Sequence, residues 1–306
     1  MRVTLVHNSD AGDQAHSTKR ILRALAEGGY DAKHVGSKKG LRKALEKPGE
    51  MVVVAGGDGR VKRVAVVLAG GDVPMAILPI GTANNIAKSL GVMGSIEELV
   101  SGWDRASTRR LAVGTVSASF GSERFVEAAG VGALTELVTR GEDEIDRNSA
   151  GLTGHALDRA LHLLRRIVEE RAPAPRRLTL DGEDLSGEYL LVEAMNTPMV
   201  GPNLPLAPNA NPGDDRLELV TVSEAERGVL LEYLQARLAG GAAPPALTVR
   251  QGKQVTMHAS ERELRIDDGP WQPDRPVGAA ALRAHRGQAE VTVALDDTAV
   301  HVLAAK

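Results

Sequence analysis

The sequence predicts an α/β protein in which a Rossmann-like domain is followed by a β-rich sandwich domain. Over the first third of the 306 residues, continuous apolar runs alternate with helical segments, which is typical of a parallel sheet covered on both faces. Beyond Ser107, short strand-like segments follow one another between Gly, Pro and Asp turns, which indicates antiparallel sheets. We therefore predict a first domain over residues 1–110 and a second over residues 111–306.

Three strands that each lead into a helix are predicted in the first domain. The strands cover residues 2–7, 51–55 and 74–78. The first helix carries Ile21, Leu22 and Leu25 on one face, and the other two run over about 61–69 and 82–90. Paired glycines follow the first two helices, as expected where a helix ends.

The second domain is predicted to consist mainly of strands. They lie near residues 111–118, 124–129, 177–181, 188–195, 217–222, 247–250, 254–258 and 262–267. Two helical stretches interrupt them, roughly Gly154 to Arg171 and Ala225 to Leu238.

The composition excludes several classes of function. A net charge of −3 is too small for a general nucleic-acid binder, and the absence of cysteine excludes disulfides and thiolate metal sites. No signal peptide is recognisable, and the longest apolar runs are far too short to span a bilayer. We therefore expect a cytoplasmic protein without a transmembrane segment, which would meet a membrane only peripherally, at its inner face.

The segment Gly56-Gly57-Asp58-Gly59 follows the second strand and opens a helix. Consecutive glycines let the backbone approach a phosphate closely, and the helix N-terminus favours a negative charge. A carboxylate placed there can hold the Mg²⁺ that accompanies a nucleotide. The ordinary alternative is a tight strand-to-helix turn, which an isolated GGDG favours.

A second glycine-bearing loop, Pro79 to Ala87, also lies between a strand and a helix. Taken alone, Thr82 in this loop is better interpreted as a helix cap than as a phosphate contact. In a doubly wound sheet the two loops would lie side by side at the carboxyl ends of the strands, where ligands bind. The loop from Asn8 to Gly12 would be the third member of that crevice.

The pattern GGDG followed by PIGTANNIA resembles the paired nucleotide-binding signatures of the diacylglycerol kinase, sphingosine kinase and NAD kinase superfamily. Later segments, Glu193 to Asn196 and Leu206 to Ala210 with Asp214 beyond them, resemble second-domain motifs of the lipid kinases. The resemblance spans nearly the whole chain and favours the bacterial lipid kinases. It implies transfer of the γ-phosphoryl group of ATP, with Mg²⁺, to a lipid hydroxyl at a membrane surface, diacylglycerol-like by default.

The resemblance also implies which residues form the sites. The ATP pocket would be lined by Asn8, Ser37, Gly56, Gly57, Asp58, Gly59, Arg60, Gly81, Thr82 and Asn84. Ser37 is the weaker match, and Asp58 would also take part in catalysis. Asp214, with nearby main-chain carbonyls, would hold a structural Mg²⁺; without the resemblance it would be interpreted as a solvated turn residue.

Two segments compete for the catalytic carboxylate that the resemblance implies late in the chain. Asp181-Gly182-Glu183 has the full family triplet, but it precedes the other motifs and is typical of a hairpin turn. Asp267, followed by Asp268 and Gly269, has the right order, so Asp267 is the predicted base. It would accept the proton of the lipid hydroxyl while Mg²⁺ and backbone donors stabilise the transferring phosphoryl group. The alternative is a simple hairpin turn.

Two residues depart from the family pattern and keep other hypotheses open. Arg60 stands where Thr is usual, and it could bind a phosphate or fill the space that a phosphate needs. Gly269 stands where Glu is usual. A nucleotide-binding relative that has lost phosphotransfer is therefore a second hypothesis. A kinase of a soluble metabolite such as NAD is a third, disfavoured by the motif from Ala207 to Ala210.

Residues 156–168 form an amphipathic pattern with arginines beside its apolar stripe. Such a helix could touch acidic lipid head groups. The more ordinary interpretation is core packing or a subunit contact, as in a homodimer. The basic pair Arg109-Arg110 is predicted to be solvated.

Overall fold

The computed structural model describes residues 1–8, 17–36, 40–144, 153–241, 243–272 and 287–304, and it divides into two compact units. Unit 1 comprises Met1–Val113, Pro212–Asp214 and Asp297–Lys306, and unit 2 comprises Gly114–Asn211 and Asp215–Asp296. Two late segments, Pro212–Asp214 and Asp297–Lys306, thus belong to unit 1. A single boundary after residue 110 would assign both of them to the second domain. The domain boundary itself stays a prediction.

Unit 1 contains a parallel sheet with the strand order β2, β1, β3, β4. Its strands are β1 (Arg2–Val6), β2 (Asp31–Val35), β3 (Met51–Gly56) and β4 (Met75–Pro79). Near the end of the chain, Val302 pairs in parallel with Met75 of β4. All residues of β3 are buried, as expected for a central strand covered on both faces.

Helices cover both faces of this sheet. They are α1 (Thr18–Glu27), α2 (Leu41–Leu45), α3 (Asp58–Leu68), α4 (Asn85–Ser89) and α5 (Ile96–Gly102). Leu25 of α1 and Val100 of α5 share a core cluster with Val53 of β3. Side chains alternate across a strand, so Val54 points to the opposite face, where α3 buries residues such as Val64.

Unit 2 is built from antiparallel strands, of which β5 and β18 also extend into unit 1. The strands are β5 (Ser107–Ala118), β6 (Gly121–Phe125), β7 (Ala128–Gly132), β8 (Ala174–Arg176), β9 (Leu178–Leu180), β10 (Glu183–Asp184), β11 (Gly187–Tyr189), β12 (Leu191–Met195), β13 (Leu217–Val222), β14 (Thr248–Gly252), β15 (Gln254–Ala259), β16 (Leu264–Ile266), β17 (Gly269–Pro270) and β18 (Ala289–Ala304). One sheet has the order β14, β13, β12, β7, β16, β17, and β10, β9, β15 and β18 pair in a second layer. Phe125, Val192 and Met257 belong to the core between the layers. The predicted fold class is confirmed.

Three helices pack on the other face of the six-stranded sheet. They are α6 (Ala133–Glu144), α7 (Thr153–Glu170) and α8 (Arg227–Leu238). The apolar stripe of α7, including Leu164 and Ile167, is buried against Leu234 of α8, so the stripe is core. The sequence predicted α7 and α8 but not α6, whose few apolar residues do not reveal a helical period. None of the described helices is long and apolar enough to cross a membrane.

A buried ion pair lies in the middle of the six-stranded sheet. Glu193 of β12 and Arg265 of β16 both pair in register with Gly130 of β7, the strand between them. The Arg265 Nη2 lies 2.6 Å from the Glu193 Oε2, and a Cβ on Gly130 would lie 2.3 Å from that oxygen. The ion pair therefore occupies the space that the missing side chain leaves. Burial raises the pKa of Glu193 more than Arg265 lowers it.

Candidate functional site

The loops after β3 and β4 touch each other through two glycines. A Cβ on Gly81 would lie 2.3 Å from the Gly57 Cα and 2.8 Å from the Gly57 nitrogen. A Cβ on Gly57 would lie 3.2 Å from the Gly81 Cα. Because the first contact is with backbone, which cannot move aside cheaply, a side chain at Gly81 would force the two loops to shift. The two loops lie side by side, as the sequence predicted.

Asp58 links the same two loops. It is the first residue of α3, and its Oδ1 accepts the main-chain N–H of Ile86, in the first turn of α4, at 2.9 Å. A carboxylate near the first N–H groups of a helix is electrostatically favourable. The predicted nucleotide-site residue Asp58 therefore has a positioning contact with the second loop, 28 residues away in the chain.

Asn84 stiffens the second loop. Its backbone is left-handed, with φ at 53°, and its Oδ1 accepts the Gly81 N–H at 3.0 Å. Its Nδ2 donates to the carbonyls of Gly81 at 2.7 Å and Pro79 at 3.2 Å. The helix consequently begins at Asn85 with Asn84 at the cap position, so the alternative that Thr82 caps this helix is wrong. The place of the exposed Thr82 in the nucleotide pocket stays a prediction.

Arg60 folds back over the end of β3. Its Nη1 donates to the Ala55 carbonyl at 2.6 Å, and a Cβ on Gly56 would lie 2.5 Å from the same nitrogen. Burial, followed by the charge of Arg63, lowers the pKa of Arg60, although a guanidinium remains protonated. The loop after β3 therefore has a half-buried positive charge beside it. Gly59 separates Asp58 from Arg60 in the sequence and lies in the first turn of α3.

Asn8 follows β1 and is half-buried. The preceding residue, His7, is 2% exposed, and its carbonyl accepts a hydrogen bond from the His34 Nε2 at 3.0 Å. The His7 Nδ1 lies 3.0 Å from the Thr18 hydroxyl. Two histidines thus support the main chain that leads to Asn8. Residues 9–16, which follow Asn8, lie outside the described residues, and so does Ser37.

Asp267 lies in unit 2, in the tight turn between β16 and β17, and is only 2% exposed. Its Oδ1 accepts the N–H groups of Glu127 at 2.7 Å and Ala128 at 3.1 Å, and the Val126 nitrogen lies 3.2 Å from both carboxylate oxygens. Three successive N–H groups therefore bind this carboxylate. A general base must also reach the hydroxyl that it deprotonates. The contacts give Asp267 a positioning role, and its role as base stays a prediction.

Asn196 holds the turn between β6 and β7, the segment whose N–H groups bind Asp267. Its Nδ2 donates to the Val126 carbonyl at 2.8 Å, and its N–H donates to the Glu127 carbonyl at 2.9 Å. These contacts explain why the single strand predicted over residues 124–129 is instead two strands with a turn at Val126-Glu127. Asp181-Gly182 forms the predicted hairpin turn between β9 and β10.

The surroundings of Asp214 were tested against the expected structural Mg²⁺. The Arg110 Nη1 donates to the main-chain carbonyls of Gly213 at 2.9 Å and of Asp214 at 3.1 Å. A cation on the same carbonyls would be repelled by this guanidinium. At an effective dielectric constant of about 20, two like unit charges ~4 Å apart repel each other by ~4 kcal/mol. A divalent ion would double this repulsion. The adjacent Asp215 pairs with Lys253 at 2.7 Å.

A metal site could also be built from side chains. Within the described ranges, no group of three or more His, Asp or Glu side chains is arranged to hold an ion. The Arg110 guanidinium on these two carbonyls disfavours a cation on the same oxygens, and the metal role of Asp214 stays a prediction. The expectation that the pair Arg109-Arg110 is simply solvated is wrong for Arg110.

Several residues that shape these sites were not predicted. The parallel register of β1 and β2, which pairs Leu5 with His34, is the only signal that could have suggested His34. Nothing local to Arg110 indicates partners 103 and 104 residues away. The pairing of Glu193 with Arg265 likewise depends on the order of three strands.

Two family models match the chain. The diacylglycerol kinase catalytic domain matches residues 2–116. The YegS C-terminal NAD kinase beta sandwich-like domain matches residues 146–291. The matched regions follow one another and together span most of the sequence.

Individual relatives agree with these models. A diacylglycerol kinase of Mycobacterium tuberculosis (strain CDC 1551 / Oshkosh) is 28% identical over 276 residues, covering 88% of this chain and 84% of that protein. A diacylglycerol kinase of Bacillus subtilis (strain 168) is 23% identical over 257 residues, with coverage of 78% and 79%. A solved diacylglycerol kinase structure from Bacillus anthracis str. Sterne superposes with a TM-score of 0.68 at 18% identity, covering 99% of this chain and 96% of that one. At that identity the structural match shows a shared fold.

Proposed function

We propose that this chain, which belongs to the diacylglycerol kinase-like lipid kinase family, transfers the γ-phosphoryl group of ATP to a lipid hydroxyl. Family membership supports a phosphotransferase with ATP as donor. Diacylglycerol is the proposed acceptor, because the relatives at 28% and 23% identity are named diacylglycerol kinases. The lipid would be met at the cytoplasmic surface of a membrane, as a step in phospholipid metabolism.

The observation that most supports ATP binding is the contact between Gly57 and Gly81. Bare backbone in both loops allows phosphate oxygens to approach main-chain N–H groups closely. The N-terminus of α3 and the guanidinium of Arg60 add positive potential there. We assign the phosphates of ATP to this pair of loops, with Asn8 and Asn84 as neighbouring polar groups and Thr82 as an exposed hydroxyl at the edge.

Asp58 is the carboxylate proposed to face the divalent ion that accompanies ATP. That ion, bound with its nucleotide, would neutralise charge on the transferring phosphoryl group. Asp58 also holds the second loop through Ile86. Its removal would therefore act both on charge and on loop position, and the two effects need separate variants.

The base is assigned to the turn between β16 and β17. Asp267 is the proposed base, and its three backbone N–H contacts would hold the carboxylate in one orientation. Asp268, the next residue, is exposed and is the alternative. Either carboxylate would take the proton of the lipid hydroxyl as the oxygen attacks the γ-phosphorus and ADP leaves.

The test is incubation of the purified protein with Mg²⁺, γ-labelled ATP and a total lipid extract. We expect label in one lipid species, lost in Asp58→Asn, which keeps an oxygen for the Ile86 N–H but removes the charge. Loss in Asp267→Asn but not in Asp268→Asn would support Asp267 as base, and the reverse would move the base to Asp268. No labelled lipid despite ATP binding would contradict the proposed function.

A nucleotide-binding relative without phosphotransfer is the second candidate, favoured by the position of Arg60 over Gly56. Among the described residues, and apart from the two chain neighbours of Gly269, no atom lies within 4 Å of a Cβ built there. The double variant Arg60→Thr with Gly269→Glu restores the usual family residue at both positions. A large gain in lipid phosphorylation would indicate lost activity in the parent chain.

A further inference from the structure

We propose that Arg110 is a built-in cation that binds the segment Pro212–Asp214, in the place where the family resemblance leads one to expect a structural Mg²⁺. The segment and the part of β5 that carries Arg110 both belong to unit 1. The inference concerns the stability of this unit and does not depend on the phosphotransfer reaction.

The main-chain oxygens of three successive residues are bound by β5. The Pro212 carbonyl accepts the Ala112 N–H at 2.7 Å. The carbonyls of Gly213 and Asp214 both accept from the Nη1 of Arg110, at 2.9 Å and 3.1 Å. One positively charged nitrogen thus gathers two carbonyl oxygens, as a metal ion bound by main-chain oxygens does.

A guanidinium is suited to this role for chemical reasons. It is charged at every physiological pH, and hydrogen bonds from a charged donor are stronger than those from a neutral one. Unlike a divalent ion, it cannot be removed by a chelator. A chain that carries Arg110 therefore has no need of a bound cation to hold Pro212–Asp214.

Arg109 provides a matched comparison. It is the preceding residue of the same strand and has the same side chain, but it is exposed. Its guanidinium lies beside Gly91, with Nη1 3.4 Å from a Cβ built at that glycine. Successive side chains of a strand point to opposite faces, so truncation of Arg109 removes the same charge from β5 without touching the segment.

The first measurement is the metal content and thermal stability of the wild-type chain, purified and dialysed against EDTA. We expect no stoichiometric divalent ion, and the same Tm in EDTA as in millimolar Mg²⁺ or Ca²⁺ without nucleotide. One retained ion per chain, or a clear fall of the Tm in EDTA, would overturn the proposal. This arm needs no variant, so it decides the question even if a variant fails to fold.

The second measurement compares Arg110→Ala, Arg110→Lys and Arg109→Ala. Two charged hydrogen bonds are lost only in Arg110→Ala, whose Tm we expect to fall by roughly 5 °C. Arg110→Lys should retain part of the stability, and Arg109→Ala should match the wild type. We also expect millimolar Mg²⁺ or Ca²⁺ to raise the Tm of Arg110→Ala selectively. Equal stability of the two alanine variants would contradict the proposal, and so would a cation effect shared by both.

Discussion

Glycine serves opposite purposes in the two units of this protein. In unit 1, Gly57 and Gly81 let two loops meet backbone to backbone. In unit 2, Gly130 leaves a space inside a sheet, and the ion pair of Glu193 and Arg265 fills it. The first arrangement brings two loops together at the carboxyl end of a sheet, where we propose that ATP binds. In the second arrangement, the side chains of Glu193 and Arg265 fill the space that the glycine leaves.

The difference shows why a glycine contact has to be interpreted with its surroundings. Gly57 and Gly81 follow the carboxyl ends of parallel strands, which is where α/β sheets bind ligands. Gly130 lies in the middle of β7 with a partner strand on each side. A missing Cβ supports a proposed binding site only in the first setting. Changes at Gly130 and its ion pair should therefore affect stability rather than ATP binding.

The largest effect on stability is expected from Glu193→Gln. The substitution keeps the shape of the side chain but removes the carboxylate that pairs with the buried Arg265. Breaking a buried ion pair from one side typically destabilises a protein by about 3–5 kcal/mol. Chemical unfolding of the variant should show a loss of that size, with ATP affinity of the surviving folded protein unchanged.

Glu183→Gln is the control for this prediction. Glu183 also pairs with an arginine, Arg250, at 2.8 Å, but both side chains are largely exposed. Exposed pairs contribute little to stability. If Glu193→Gln is no more destabilising than Glu183→Gln, the buried pair of Glu193 and Arg265 does not stabilise the fold more than an exposed pair does.

A smaller loss is expected from Gly130→Ala. The added methyl group would lie 2.3 Å from both the Glu193 Oε2 and the Val192 carbonyl, so the ion pair or the strand must shift. Overpacking of this kind costs about 1–3 kcal/mol. Gly228→Ala in α8, where nothing lies within 4 Å of the new atom, should be neutral or stabilising. Equal free energies of unfolding for the two variants would show that the space at Gly130 is not filled as described.

The smallest effect concerns pH. Burial raises the pKa of Glu263, but hydrogen bonds from Ser260 and Arg176 outweigh it and leave the pKa lowered, the opposite of Glu193. A carboxyl whose pKa is lower in the folded state stabilises the protein above its unfolded pKa, about 4.3 for glutamate. That contribution is lost as the pH falls through the lower folded value. The stability advantage of wild type over Glu263→Gln should therefore shrink below about pH 4.3. If the difference in free energy of unfolding between wild type and Glu263→Gln is the same at neutral and acidic pH, the pKa of Glu263 is not lowered in the folded state.

The features that the sequence predicted are local, and those that it missed join distant segments. Apolar runs ending in glycines were enough to predict β3, β4 and the loops that follow them. The cap was misplaced, because the left-handed Asn84 delays the start of α4 until Asn85. Contacts such as that of Arg110 with Gly213 depend on which strands become neighbours, and no periodicity within β5 carries that information.

The central claim is that the touching glycine loops of unit 1 bind ATP. It is tested most directly by calorimetric titration of ATP with Mg²⁺ into wild type, Gly81→Ala, Gly57→Ala and Gly102→Ala. Within the part of the chain that the structure describes, nothing lies within 4 Å of a Cβ built on Gly102, so its variant controls for the added methyl group.

Circular dichroism would first establish that each variant is folded. We predict that Gly81→Ala weakens ATP binding by about 100-fold, equivalent to about 2.7 kcal/mol. Gly57→Ala, with its larger clearance of 3.2 Å, should lose less, and Gly102→Ala should bind like wild type. Wild-type affinity in a folded Gly81→Ala protein would contradict the account.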